Sequence, residues 1–412
     1  MSSGLILTPA LATAAGPVPR RGREMDRLEL IPDAALAWRD GLVTYAGPAA
    51  ELPAEAGLRL EPRSVEGAVV PGFVDCHTHL PFFGWRADEY EAKLAGQSYR
   101  DLHGGGGGIA RSSQLLASAS DREVMDFCRP LAAEMLARGT AAVELKTGYG
   151  LSVEGELRQA RLAMELGVAI PPAFTVTLLA CHAVPPGLTR VEWVETACRE
   201  LIPAASREGL VSAVDVYVED IAFSVDDFRR IAAVARGNGL AVRCHADQLG
   251  PSGGAEVAVR AGARNVDHLN HVGADGIRAL GEGTTAAVLV PVADLVTAEQ
   301  VPPAAELLDA GAAVALATDF NPGTSPNLSM PEVIAAGCAL YRMSPNAALI
   351  AATINAAWAL GMDAERGSLE KGKAADFLIL DAPHPAMIPY RPGHNPVVET
   401  WLGGRLMATR AT

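Results

Sequence analysis

Eight short apolar runs, rich in β-branched residues, alternate with longer amphipathic stretches between residues 72 and 319. They read GFVDCHTH (72–79), AAVELKTG (141–148), FTVTLLACHA (174–183), AVDVYVED (213–220), AVRCHAD (241–247), NVDHL (265–269), AAVLVP (286–291) and AVALATD (313–319). Continuous apolar character marks strands covered on both faces, as in parallel sheets. The stretches between them read as helices. DREVMDFCRPLAAEMLARG is one; SVDDFRRIAAVARGNG opens on Ser224-x-x-Asp227, a capping-box start, and closes on glycine. Eight such units in roughly 250 residues predict an α/β fold closed as a (β/α)8 TIM-type barrel, with an open doubly wound sheet as the alternative.

The flanks differ. GLVTYAGPAAEL (41–52), ADFLILDAP (375–383) and VVETWLGGRLMA (397–408) are short strand-like pieces closed by Gly-containing turns, without a long helical pattern. MSSGLILTPALATAA lacks the basic start of a signal peptide, carries Pro9 in a short apolar core, and reads as a first strand. Two β-rich ends predict one small β-sandwich built from 1–66 and 367–412, beside a barrel spanning 67–366.

The net charge of −14, with no Lys/Arg cluster, argues against nucleic acid and anionic membranes as partners, which require concentrated positive charge. No apolar run is long enough to span a bilayer. The six cysteines are scattered, without a C-x-x-C pair, which fits reduced thiols in a cytoplasmic protein.

In such a barrel, functional groups sit at the C-terminal strand ends. The first run ends in His77 and His79; their spacing of two puts both side chains on one face. The third ends at His182, the fifth at His245, the sixth at His268 and the eighth at Asp319. Each has an ordinary explanation by itself: a lone histidine there is more often a hydrogen-bonded polar residue than a ligand, and Asp319 could cap the next helix. In a chain of nine histidines the joint pattern is harder to assign to packing. His103, His271, His384 and His394 fall outside it and read as loop or surface residues. Three histidine nitrogens and one carboxylate oxygen suit Zn2+ or Fe2+, with one position open for an acidified water.

PGFVDCHTHL, HADQ, VDHL, LATDFNPGTSP and GSLEKGKAADFLILD resemble the amidohydrolase superfamily. FGWRADEYEAKLAGQSY, GGGGGIARS, VELKTGYGL, CHAVPP, VEDIAFS and CHADQL follow in a consistent order over most of the chain. They are similar, more narrowly, to the imidazolonepropionases, and KTGYG with DFNPGTSP is the most specific pair. The resemblance implies a metal on His77, His79, His245 and Asp319, and substrate or product contacts from Arg86, Tyr99, Tyr149, His182, Gln248, Asn321, Gly323 and Thr324. It implies 4-imidazolone-5-propanoate as the small-molecule substrate; barrels of this kind are often homodimers. Two-metal members of the superfamily carry a carboxylated lysine at the end of strand four. AVDVYVED has no lysine, and Lys146 on the second run reads as a buried partner of Glu144 or a surface charge, so one metal is expected.

Related ring deaminases place a glutamate three residues after the strand-five histidine; here that position is Gln248, which does not titrate. Gln248 stays in the catalytic set, but the proton work falls to Asp319, His268 or both. The implied reaction is attack of the activated water on the ring carbonyl carbon, with Asp319 taking its proton and His268 stabilising the oxyanion. Arg86 is the natural bidentate partner of the propanoate, although a surface pair with Asp88 or Glu89 explains it nearly as well. Tyr149 sits in a Gly-flanked loop, and Asn321-Pro-Gly-Thr324 follows the Asp319 strand, where an ordinary turn accounts for the same letters. Gly104–Gly108 lacks the Lys-Ser/Thr of a phosphate loop and reads as a lid or close-approach loop. The rival readings are an aminohydrolase releasing ammonia from a guanidine- or formimidoyl-type group, and a non-catalytic scaffold, which the intact ligand set disfavours.

Overall fold

The computed structural model describes residues 2–57, 60–96, 107–298 and 300–410. Each of the eight runs forms a strand: Phe73–Asp75, Thr140–Lys146, Ala173–Cys181, Ala213–Val218, Ala241–Ala246, Asn265–His268, Ala286–Leu289 and Ala313–Leu316. We number them one to eight. Each pairs in parallel with the next. The ring closes between its ends: Thr78 bridges Phe320, and His79 N–H donates to the Phe320 carbonyl at 2.9 Å. The Asp75 carboxylate reinforces the seam, accepting from Thr318 N at 3.0 Å and Thr318 Oγ1 at 2.6 Å. The barrel is therefore closed, as the strand count predicts.

The helices form where their caps and apolar spacing dictate. Val225–Gly237 starts at Ser224, whose hydroxyl accepts from Asp227 N while Asp227 accepts from Ser224 N, a reciprocal capping box. It buries Phe228, Ile231, Ala232 and Ala235, the i, i+3, i+4, i+7 stripe that packs on strands four and five. Asp121–Ala137 carries the same device at Ser120 and Glu123. Both faces of the barrel strands are covered, so strands two, four, six, seven and eight have no exposed residue.

The two ends of the chain meet in a second sheet, in the order Arg405–Thr409, Val397–Leu402, Phe377–Leu380, Val69–Pro71, Gly4–Ala12, Leu30–Arg39, Leu42–Pro48, with Pro62–Ser64 beside Gly4–Ala12. Val69–Pro71 joins the halves, pairing with Phe377–Leu380 on one side and with Gly4–Ala12 on the other. Trp38, Phe377 and Trp401 stack across the junction, with centroids 5.2–5.6 Å apart. Gly403 and Gly404, both at positive φ, make the two-residue hairpin turn between the last two strands.

Candidate metal centre and active site

The strand-end residues converge. His77 and His79 follow strand one, and the intervening Thr78 points away, donating to the Glu144 carbonyl at 2.5 Å. Their Nε2 atoms lie 3.2 Å apart, and Asp319 Oδ1 is 3.4 Å from the first and 3.2 Å from the second. His245, near the end of strand five, brings its ring centroid within 4.5 Å of that of His77, and His268 lies 5.2 Å from His245. Ligating atoms of His77, His79 and His245 fall within 4.8 Å of one another, as do those of His77, His268 and Asp319. His245 Nε2 is buried without a hydrogen-bond partner among the described residues. A buried, unpartnered imidazole nitrogen beside two converging imidazoles and a carboxylate is the donor set a first-row divalent ion takes.

The backbone is bent to present these groups. His268, Leu269 and Asp319 have φ of 77°, 65° and 52°, and Asp247, two after His245, has 55°. Left-handed conformations in non-glycine residues cost on the order of 1–3 kcal/mol each and concentrate at working sites. Burial alone would push the Asp319 carboxyl up, but hydrogen bonds from His77 and His79 outweigh it and hold it well below its usual range. Burial lowers His268 to about 3, so its imidazole is neutral at physiological pH.

A narrow cavity opens over this cluster. Ten of the thirteen residues expected from sequence line it: His79, Arg86, Tyr149, His182, His245, Gln248, His268, Asp319, Asn321 and Thr324. His77 lies beneath, fully buried. Gly323 does not line the cavity; a Cβ there would collide with the Arg86 guanidinium, so its bareness makes room for that side chain. Tyr99 and Gly104–Gly106 lie outside the described residues, whereas Gly108 N–H donates to the Glu89 carboxylate at 3.1 Å. Arg86 is not a surface pair. It is buried, 3.4 Å from Glu89, with Nε and Nη1 lacking hydrogen-bond partners among the described residues.

Several neighbours fix the polar wall. His182 Nδ1 is 3.0 Å from the Gly148 carbonyl, which assigns the proton to Nδ1. Gly148, at φ 117°, is required there, since a Cβ would stand 2.7 Å from that nitrogen. The Asn321 side chain closes its own turn: Oδ1 accepts from Gly323 N and Thr324 N, and Nδ2 donates to the Asp319 carbonyl.

Some supports were not legible as site residues. Buried Glu156 accepts from the backbone N–H groups of Gly148, Gly150 and Leu151, and so sets the Tyr149 loop. Glu219 accepts from Gln248 N at 2.5 Å and Leu249 N at 3.1 Å; burial raises its carboxyl to about 7. Ile109 and Tyr217 complete the lining. The one available signal was a polar residue inside an apolar or helical run, and it does not separate such supports from ordinary surface charge.

Residues 68–407 match the model of the Amidohydrolase family. Imidazolonepropionase of Rhizorhabdus wittichii is 41% identical over 95% of this chain and 97% of its own length. That of Rubrobacter xylanophilus is 40% identical over 99% of both. The chain belongs to the imidazolonepropionase family of amidohydrolases. The same fold occurs in a zinc-bound adenosine deaminase of Xanthomonas campestris, at TM-score 0.70 and 19% identity, over 98% of this chain and 92% of that one. Membership accounts for the order of motifs along the sequence, and the cluster at the barrel mouth gathers side chains that could hold a metal ion.

Proposed function

We infer that the chain hydrolyses the ring C–N bond of 4-imidazolone-5-propanoate to N-formimidoyl-L-glutamate, in the breakdown of histidine. The observation that carries this reading is a full-length, 40–41% relationship to imidazolonepropionases, joined to a cavity in which the histidine and aspartate cluster faces a buried arginine. His77, His79, His245 and Asp319 would hold one divalent ion, Zn2+ or Fe2+; when bound, it supplies an acidified water and polarises a carbonyl oxygen.

The side chains divide the remaining work. Arg86, with Glu89 as its one carboxylate neighbour, holds the propanoate through guanidinium N–H groups, its Nε and Nη1 having no hydrogen-bond partner among the described residues. Tyr149, His182, Asn321 and Thr324 surround the ring, and His182 Nε2 accepts from a ring N–H. Asp319, ionised, takes the proton of the attacking water. Neutral His268 donates an N–H to the oxygen that becomes negative as the carbonyl carbon turns tetrahedral. The C–N bond then breaks, and Asp319 returns the proton to the departing nitrogen. Gln248, with no proton to exchange, holds the ring by hydrogen bonds.

The same reading divides the chain into a composite terminal β unit, 1–66 with 367–412, and a catalytic barrel, 67–366, although Val69–Pro71 pairs within the terminal sheet. It places the protein in the cytoplasm, a compartment that six free cysteines fit, and as a homodimer; sedimentation of the purified chain checks the dimer. Among the described residues no helix is long and apolar enough to cross a membrane.

Loss of imidazolonepropanoate absorbance on adding the chain, abolished by a chelator and restored by metal, tests the function. Release of ammonia instead would favour an aminohydrolase.

A further inference from the structure

Beneath the four proposed ligands lies a fully buried ionic layer drawn from three further strands. The Lys146 ammonium, at the end of strand two, is 2.7 Å from Asp215 Oδ2, 3.0 Å from Glu144 Oε2 and 3.4 Å from Asp267 Oδ2. The same two aspartate oxygens face the histidines. Asp267 Oδ2 makes a 2.7 Å hydrogen bond with His77 Nδ1, and Asp215 Oδ2 is 3.0 Å from His245 Nδ1, an ion-pair contact outside hydrogen-bond geometry. The chain of contacts runs His77, Asp267, Lys146, Asp215, His245, across strand one and strands six, two, four and five.

The two nitrogens of an imidazole are not equivalent. A hydrogen bond from Nδ1–H fixes the tautomer and the ring tilt, and a carboxylate acceptor makes Nε2 a stronger donor to a metal. Both carboxylates are fully buried, where their mutual repulsion is weakly screened, and one shared ammonium offsets it. Asp215, His245 and Asp267 also form a third group with ligating atoms within 4.8 Å of one another, and there the cation in contact with both aspartates is Lys146.

We propose that Asp215 and Asp267, tied together by Lys146, are positioning residues that present Nε2 of His245 and His77 to a single metal ion. Lys146 fills the neighbouring cation position and leaves the chain one open site. The inference rests on the reading of His77, His79, His245 and Asp319 as ligands.

The test uses the full chain stripped of metal, in wild-type form and as Asp267→Asn, Asp215→Asn, His245→Ala and the double variant Lys146→Met/Asp267→Asn. The double variant removes one buried charge of each sign, so it keeps the charge balance if a single change disturbs folding. Zn2+ alone is titrated against a chromophoric chelator, the d–d absorption of the Co2+ form is recorded, and apo melting points are measured. The expected result is a Zn2+ Kd raised about 10–100-fold in both asparagine variants and in the double variant, with a shifted Co2+ spectrum. A layer serving only the fold would lower the apo melting point while leaving Kd within about threefold and the spectrum unmoved, and that result overturns the proposal. Wild-type uptake that His245→Ala abolishes, with normal uptake in the aspartate variants, overturns this inference alone. A wild-type chain that takes up no Zn2+ overturns the ligand reading, and this inference with it.

Discussion

On the metal side of the cavity, His77 and His245 are each backed by a buried carboxylate, and both carboxylates rest on Lys146. On the opposite side, among the described residues, Arg86 has one carboxylate neighbour at 3.4 Å and two guanidinium nitrogens without hydrogen bonds. A wall that holds a resident ion gains from fixing every donor in advance. A wall that meets a transient carboxylate must leave donors free until it arrives, and it accepts the desolvation cost in between. The same cavity therefore carries one side whose histidines have buried carboxylates behind them and another whose arginine keeps donors without hydrogen bonds among the described residues, a difference that fits retention on one side and turnover on the other.

The comparison breaks most visibly at His245. Replacing it with alanine removes the proposed ligand whose Nε2 has no hydrogen-bond partner among the described residues, and we expect bound metal to be lost and turnover to fall by about a thousandfold or more. Metal analysis and the absorbance assay report both; an active, metal-free variant would dissolve the distinction between the walls. On the other side, Arg86→Ala should raise KM by about 10–100-fold, the worth of a charge-assisted contact, with bound metal unchanged. An unmoved KM would take Arg86 out of the substrate wall.

Gly323→Ala sharpens the point with a smaller change. The added methyl collides with the Arg86 guanidinium, so KM should rise by about tenfold while kcat holds. A variant with wild-type kinetics would mean that the arginine is not locked in place.

The smallest effect concerns Glu219, which anchors the Gln248 backbone. Burial raises its carboxyl from the ordinary 4.5 to about 7. Between those pH values the folded chain keeps a proton that the unfolded chain releases. Its contribution is therefore fully present below pH 4.5 and lost as pH rises through 7. Glu219→Gln retains an acceptor oxygen without the charge, so it should exceed wild type by on the order of 2 kcal/mol at pH 8 and match it near pH 4.5. Denaturant melts at the two pH values measure this, and lower stability of the variant at pH 8 would make Glu219 an ionised anchor instead.

The barrel was legible because each strand is a continuous apolar run bounded by polar residues, and the strand-end histidines stood out against so few others in the chain. Arg86 and Gly323 were legible only in part. Sequence weighed Arg86 against a surface ion pair, whereas the fold buries it behind a glycine that has no side chain to offer the cavity. Asp215 and Asp267 were harder still: each is one polar letter inside an apolar strand, AVDVYV or NVDH, and nothing local says which histidine it faces. That information lies in the order of strands around the ring. Lys146 was expected either beside Glu144 or at the surface; it is buried beside Glu144, and its contacts with two aspartates from other strands emerge only on closure.

The central claim is that His77, His79, His245 and Asp319 close on one ion that turnover requires. Titrating Zn2+ or Fe2+ into the stripped chain while following imidazolonepropanoate hydrolysis tests it most directly. The account predicts activity that rises linearly and breaks at one equivalent of metal per chain, with no recovery in His245→Ala. Full activity without metal, or a break at two equivalents, would contradict it.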